Sequence, residues 1–179
     1  MVKILFLDID GVLNCMPGAA TRMALYNKDK ELFHNKLYGL DPDLVKNLKL
    51  ILDRTGAKIV FSTSWRYFKD HPIVGSDWRE SLAKMLGVSQ DIFIGNTPDI
   101  NTCGDSNSGS RRRGSEIIHW LTSGVSNNTI EIGKFKYCVI DDEVSDIIGV
   151  IPERCVVHTD MNYGLQMKDV NRAVKILNE

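Results

Sequence analysis

The chain has 179 residues, 43% of them hydrophobic and 25% charged, with 22 basic residues against 23 acidic ones. That composition excludes a disordered chain and predicts one well-buried globular domain over 1–179, with room for a modest insertion. A net charge of −1 excludes a global field for nucleic acid or membrane surfaces, so attraction for an anion must be local.

Cys15, Cys103, Cys138 and Cys155 are scattered without Cys-x-x-Cys spacing. Zinc and dithiol chemistry are therefore disfavoured, and a reducing cytoplasm is the expected setting. No apolar run approaches a membrane span, and the amino terminus starts a strand instead of a cleavable leader.

Val2 to Leu7 is almost wholly apolar, the pattern of a parallel strand covered on both faces. It ends in Asp8-Ile9-Asp10-Gly11. Alternation along a strand lets Asp8 and Asp10 face one small volume, where two carboxylates repel unless a cation or proton sits between them. Gly11 permits a sharp turn. An ordinary strand end followed by a turn has the same residues. A calcium loop does not fit, because Val, Leu and Asn follow where further acids are needed.

Residues 15–40 lack a clean period and read as a small flap over the end of the first strand, with Arg22, Lys28 and His34 as substrate contacts or surface decoration. Asp41-Pro42 then looks like an N-cap and first helical position, and Leu44, Val45, Leu48, Ile51 and Leu52 recur at helical spacing until Gly56. Lys58 to Phe61 is a second strand, discharging into Ser62-Thr63-Ser64-Trp65-Arg66. Hydroxyls, backbone N–H groups and an arginine suit an oxyanion, although generic turn chemistry uses the same hydroxyls.

Asp77 and Glu80 can form a capping box for a helix to Leu86, closed by Gly87, and Ile92 to Gly95 is a third strand. Residues 96–115 are polar, the composition of a long loop, and finish in Arg111-Arg112-Arg113-Gly114-Ser115. Three adjacent arginines are commonly a solvated patch, but a loop leaving one strand's carboxyl end begins the next helix at that same edge. Glu116 to Leu121 is that helix, with Gly124 as a stop. Lys136 to Ile140 is a fourth strand ending in Asp141-Asp142-Glu143, with Asp146 beyond. Arg154 to His158 is a fifth strand, and Leu165 to Leu177 a terminal amphipathic helix.

Strands alternating with helices predict an α/β fold, a doubly wound, mainly parallel sheet whose ligands bind outside the strands' carboxyl ends. In chain order those ends carry Asp8 and Asp10, Ser62, a basic residue near 113, and Asp141 and Asp142. In that order they resemble the four motifs of the haloacid dehalogenase superfamily of phosphohydrolases, over nearly the whole chain. Ser62-Thr63-Ser64-Trp65-Arg66, Thr97-Pro98, Arg113-Gly114-Ser115-Glu116-Ile117 and Gly164-Leu165 further resemble a small, minimally capped branch, some of whose members are associated with nucleic-acid repair. The third motif departs from the commoner lysine. Arg113 is the choice there because it leads directly into a helix, with Arg111 and Arg112 as competitors.

The resemblance implies a magnesium-dependent phosphomonoesterase. Asp8 is then the nucleophile that forms an aspartyl-phosphate, and Asp10 the general acid and base. Ser62 and Arg113 hold the transferring oxygens, and Thr63, Ser64, Arg66 and Gly11 line the substrate. The ion is held by Asp8, Asp10 through its backbone carbonyl, and Asp142, with Asp141 competing as direct ligand and Asp146 positioning water. Asp10 separates this reading from carbon–halogen cleavage, whose enzymes lack the second acid, and from the many transport ATPases that have threonine there. A short insertion implies an open site, suited to a phosphorylated nucleic-acid end or protein, with a nucleotide or sugar phosphate as the smaller alternative. A phosphate-accepting receiver domain would place its acid pair and its acceptor on the opposite strands. A silent phosphate-binding module on the same scaffold would not need both Asp8 and Asp10.

Overall fold

The computed structural model describes residues 1–15, 40–67, 78–100, 112–126 and 134–179. The elements are β1 (Val2–Leu7), α1 (Pro42–Thr55), β2 (Lys58–Phe61), α2 (Trp78–Leu86), β3 (Phe93–Asn96), α3 (Arg112–Ser126), β4 (Phe135–Asp141), β5 (Val156–His158) and α4 (Met167–Asn178). Short 3₁₀ turns cover Ser64–Tyr67, Gln90–Ile92 and Glu153–Cys155. The expected flap, apart from Cys15 and Leu40, lies outside the described residues, as do Asp77, Cys103, Arg111 and the rest of 101–111.

The strands form one parallel sheet in the order β3-β2-β1-β4-β5, which is the doubly wound α/β fold read from the sequence. From β1 the chain steps to β2 and β3 in one direction, then returns past β1 to β4 and β5. Right-handed crossovers put connections in one direction on one face and those in the other direction on the opposite face. The core divides accordingly. Leu5 and Leu7 of β1 pack with Leu48 of α1, Leu82 of α2 and Ala173 of α4. Ile4 and Phe6 point the other way, into a cluster with Ile117 and Leu121 of α3 and with Ile147 and Ile151 of the β4–β5 connection. Period-two alternation along one strand thus supplies both halves of the core.

Helix α1 forms where its caps dictate. The Asp41 carboxylate accepts the Asp43 N–H at 2.8 Å, Pro42 fills the first turn, and Gly56 closes the helix at φ 66°. The five apolar residues at helical spacing, Leu44, Val45, Leu48, Ile51 and Leu52, are all buried, and Leu50 is partly buried.

Helix α3 departs from its expected start. It begins at Arg112 rather than Glu116 and runs past Gly124 to Ser126. The first turn is secured from outside: the Asp146 carboxylate accepts the Arg113 N–H at 3.0 Å, and Gly114 lies so close to the Asp146 carbonyl and Val150 that a Cβ would sit 2.9 Å from each. Partners about 33 residues downstream therefore start the helix inside what composition marks as loop. No helix among the described residues is long and apolar enough to cross a membrane.

Candidate functional site

Leu7 is level with Phe61 on one side and with Ile140 on the other, and all three side chains belong to the α1 face of the core. Alternation therefore turns the next residues, Asp8, Ser62 and Asp141, toward the α3 face. Backbone pairing carries past the strand ends: Asp8 N–H donates to Ile140 O at 3.0 Å and Ser62 N–H to Leu7 O at 2.9 Å. Register alone thus sets these three residues in a row across the carboxyl edge, at the point where the sheet order reverses.

Arg113, in the first turn of α3, reaches into this row. Its Nη1 donates to Asp8 Oδ1 at 3.2 Å, approaches Asp141 Oδ2 at 3.5 Å, and donates to the Ser62 carbonyl. Asp8 and Asp141 are 5% and 1% exposed. Donor oxygens of Asp8, Asp141 and Asp142 all lie within 4.8 Å of one another, so one guanidinium faces three carboxyls. Burial pushes the Asp8 carboxyl up to about 6, against the lowering pull of Arg113, the Ile9 N–H and the Thr63 hydroxyl. Burial and the neighbouring Asp8 hold Asp141 well above the carboxylate range, and burial raises Asp142. For Arg113, burial disfavours the cation, yet Asp141, Asp8 and Asp146 outweigh it and raise its pKa.

Among the described residues, Asp141 Oδ2, Asp146 Oδ1 and the Ser62 hydroxyl are buried without a hydrogen-bond partner. An all-oxygen donor set with surplus negative charge and an unmet lone pair fits a hard divalent cation such as magnesium. The unmet Ser62 hydroxyl fits a phosphoryl oxygen.

Asp10 stands beyond Asp8 in the turn and is exposed. Both of its oxygens are held: Asn14 Nδ2 donates to Oδ1 at 2.8 Å and Trp65 Nε1 to Oδ2 at 2.9 Å. Asn14 Oδ1 also accepts the Gly11 N–H at 3.0 Å, and Thr159 Oγ1 donates to the Gly11 carbonyl at 3.0 Å. Gly11 has φ 65°, and a Cβ there would fall 2.3 Å from Asp142 Cγ. Only glycine lets the first loop close onto the fourth strand's acid.

Asp8, Ser62, Arg113, Asp141 and Asp142 come together, with Thr63 and Gly11 against them. Ser64 is exposed on the 3₁₀ turn. Arg66 points elsewhere: its Nη1 donates to Thr97 Oγ1 at 2.7 Å and its Nη2 pairs with Glu116 Oε2 at 2.5 Å. Arg112 lies in the same helical turn as Arg113. Sequence reasoning missed Asn14 and Trp65 as partners of Asp10. Asn14, four residues after Asp10 in a glycine turn, was the available signal; for Trp65, 55 residues away, there was none. Trp65 and Trp78 pack edge to face in the core, and Trp120 packs on Phe6.

The family model described as the HAD domain in Swiss Army Knife RNA repair proteins matches residues 4–170. Both acid pairs, Ser62, Arg113 and strands β2 to β5 lie within that span, which begins inside β1. No curated protein and no solved structure matches the chain. The chain belongs to the family of haloacid dehalogenase domains found in Swiss Army Knife RNA repair proteins.

Proposed function

We propose that the protein is a magnesium-dependent phosphomonoesterase acting through an aspartyl-phosphate on Asp8, with phosphorylated RNA ends as its substrate class. The observation that carries the reading is the meeting of the buried Asp8 and Asp141, both paired with Arg113, with the half-buried Asp142. The substrate class rests on the RNA repair proteins in which the family's domains occur.

Asp8, Asp141 and Asp142 would hold the ion, which when bound supplies the positive charge that lets an anionic carboxylate approach an anionic phosphate. Asp8 attacks phosphorus through one carboxylate oxygen, forming a new O–P bond while the ester P–O bond breaks in line. The departing oxygen takes a proton from Asp10, whose carboxyl is aimed by Asn14 and Trp65. A water then gives its proton to Asp10 and attacks the same phosphorus. The Asp8–phosphorus bond breaks, releasing inorganic phosphate and restoring both carboxyls. Arg113 and the Ser62 hydroxyl hold the non-bridging oxygens as charge redistributes. The site's burial strengthens each of these interactions.

The test is release of inorganic phosphate from 3′- and 5′-phosphorylated oligoribonucleotides, with p-nitrophenyl phosphate, sugar phosphates and phosphopeptides alongside, with magnesium and with chelator. Turnover that needs magnesium and favours an oligonucleotide end supports the proposal. Asp8→Asn should lower every observed rate by at least about a thousandfold. Undiminished turnover in that variant would remove Asp8 as nucleophile.

A further inference from the structure

We propose that the Arg66–Glu116 pair, with Thr97, is a positioning device that sets Arg113 against the row of acids. The proposal rests on Arg113 serving the site as described above. The pair is almost closed to solvent, with side chains 7% and 2% exposed, and Thr97 is 2% exposed. It also joins three separate parts of the fold. Arg66 lies on the turn after β2, Thr97 immediately after β3, and Glu116 on α3. The Thr97 N–H is held in turn by the Phe61 carbonyl at 2.9 Å, which ties the exits of β2 and β3 together.

Glu116 lies three residues after Arg113 on one helix, so the two side chains leave on the same face. The first turn of α3 is then fixed at two points. On one flank, Asp146 accepts the Arg113 N–H and Gly114 packs on the Asp146 carbonyl. On the other, Arg66, whose Nη1 is held by Thr97, pairs with Glu116 through its Nη2. Between these anchors Arg113 must satisfy Asp8, Asp141 and the Ser62 carbonyl at once. A long, flexible side chain meets three such partners only if its Cα is correctly placed. A displacement of about 1 Å at a reacting group can lower a rate a hundredfold.

A buried ion pair is weak evidence for stability, because apolar residues of similar size often stabilise a fold as well. This separates positioning from mere structure. The paired change Arg66→Met with Glu116→Leu should keep the melting temperature near that of the unaltered protein, while Glu116→Gln alone leaves a buried cation with a weakened partner. Leu177→Ala is the control. It opens the core at the far end of α4, beside Asn178, which accepts from Lys3 at the start of β1.

Each protein is assayed with magnesium for kcat on p-nitrophenyl phosphate, for melting temperature, and for orthovanadate affinity through tryptophan fluorescence. The expected result is a vanadate Kd weakened about tenfold and a kcat lowered about 10- to 100-fold in both pair variants. The control should lose melting temperature with vanadate affinity unchanged. Recovery of vanadate affinity together with melting temperature in the double variant would overturn the proposal, as would pair variants no weaker than the control. If the double variant does not fold, Thr97→Val decides, with a several-fold weaker vanadate Kd expected and an unchanged Kd overturning the proposal. Vanadate binding with this pattern but no phosphomonoester turnover would sink the proposed function and leave the positioning role standing. Absence of both from the unaltered protein would sink the two together.

Discussion

Two groups of buried charge sit along the same edge of the sheet, and they differ in balance. At the exits of β2 and β3, one arginine meets one glutamate, with a threonine hydroxyl accepting from the arginine. At the exits of β1 and β4, Asp8 and Asp141 both pair with Arg113, and with Asp142 they set three carboxyls against that one cation among the described residues. The first group is balanced in charge within the protein, one cation to one anion, and is suited to hold. The second is short of positive charge and must take up protons or a cation. Charge balance, rather than burial or position, therefore separates the part of this edge that holds from the part that can bind.

The sharpest way to break that contrast is to spoil the second group without touching a charge. Gly11→Ala puts a Cβ 2.3 Å from Asp142 Cγ in a backbone conformation that disfavours side chains. Asp142 must move out of the acid cluster. Magnesium affinity should fall at least about tenfold and turnover about a hundredfold, read by calorimetric titration and by phosphate release. The Arg66–Glu116 pair should be unaffected.

A smaller effect sharpens the comparison through pH. Burial raises Asp8 to about 6 and lifts Asp141 and Asp142 above their ordinary value of 3.8. Between about 4 and 6 the folded chain therefore holds a proton at Asp8 that the unfolded chain has lost, and the raised Asp141 and Asp142 act in the same direction. Their contribution is fully present below about 4, and it falls as pH rises through the folded pKa values. Magnesium replaces those protons. The rise in melting temperature on adding magnesium should therefore be near zero at pH 4 and grow steadily to pH 7. A magnesium effect that is flat with pH would contradict the shared cation.

Much of the edge was legible because it obeys local rules. The apolar runs ending in Asp8, Ser62 and Asp141 mark parallel strands, and parallel strands in register bring their exits together, so residues over 130 positions apart could be joined on paper. Asp41, Pro42 and Gly56 announced α1 in the same way. The start of α3 was hidden because its N-terminal partner, Asp146, lies in another connection, and composition around Arg113 reads as loop. Arg66 read as an anion ligand because an exposed strand exit would offer it to solvent. Its partners, Thr97 and Glu116, reach it only through β3 and α3, and no local pattern encodes that meeting. The same limit hid Trp65, an aromatic whose ring belongs to the core and whose N–H serves the site.

That divided residue gives the smallest test. Trp65→Phe retains an aromatic ring against Trp78, now 5.8 Å away centroid to centroid, and removes the donor that holds Asp10 Oδ2 at 2.9 Å. Asn14 still holds Oδ1, so the carboxyl keeps one of its two anchors and gains rotational freedom about it. Melting temperature should change little, since the hydrogen bond lost ends on an exposed carboxyl and a typical hydrogen bond contributes about 0.5–1.5 kcal/mol net. Turnover should fall about tenfold, a part of the 10²–10⁴ that a general acid contributes, and more with a poor leaving group such as a ribose hydroxyl than with p-nitrophenolate, which departs without a proton. Equal losses on both substrates would mean that Trp65 aims something other than the acid.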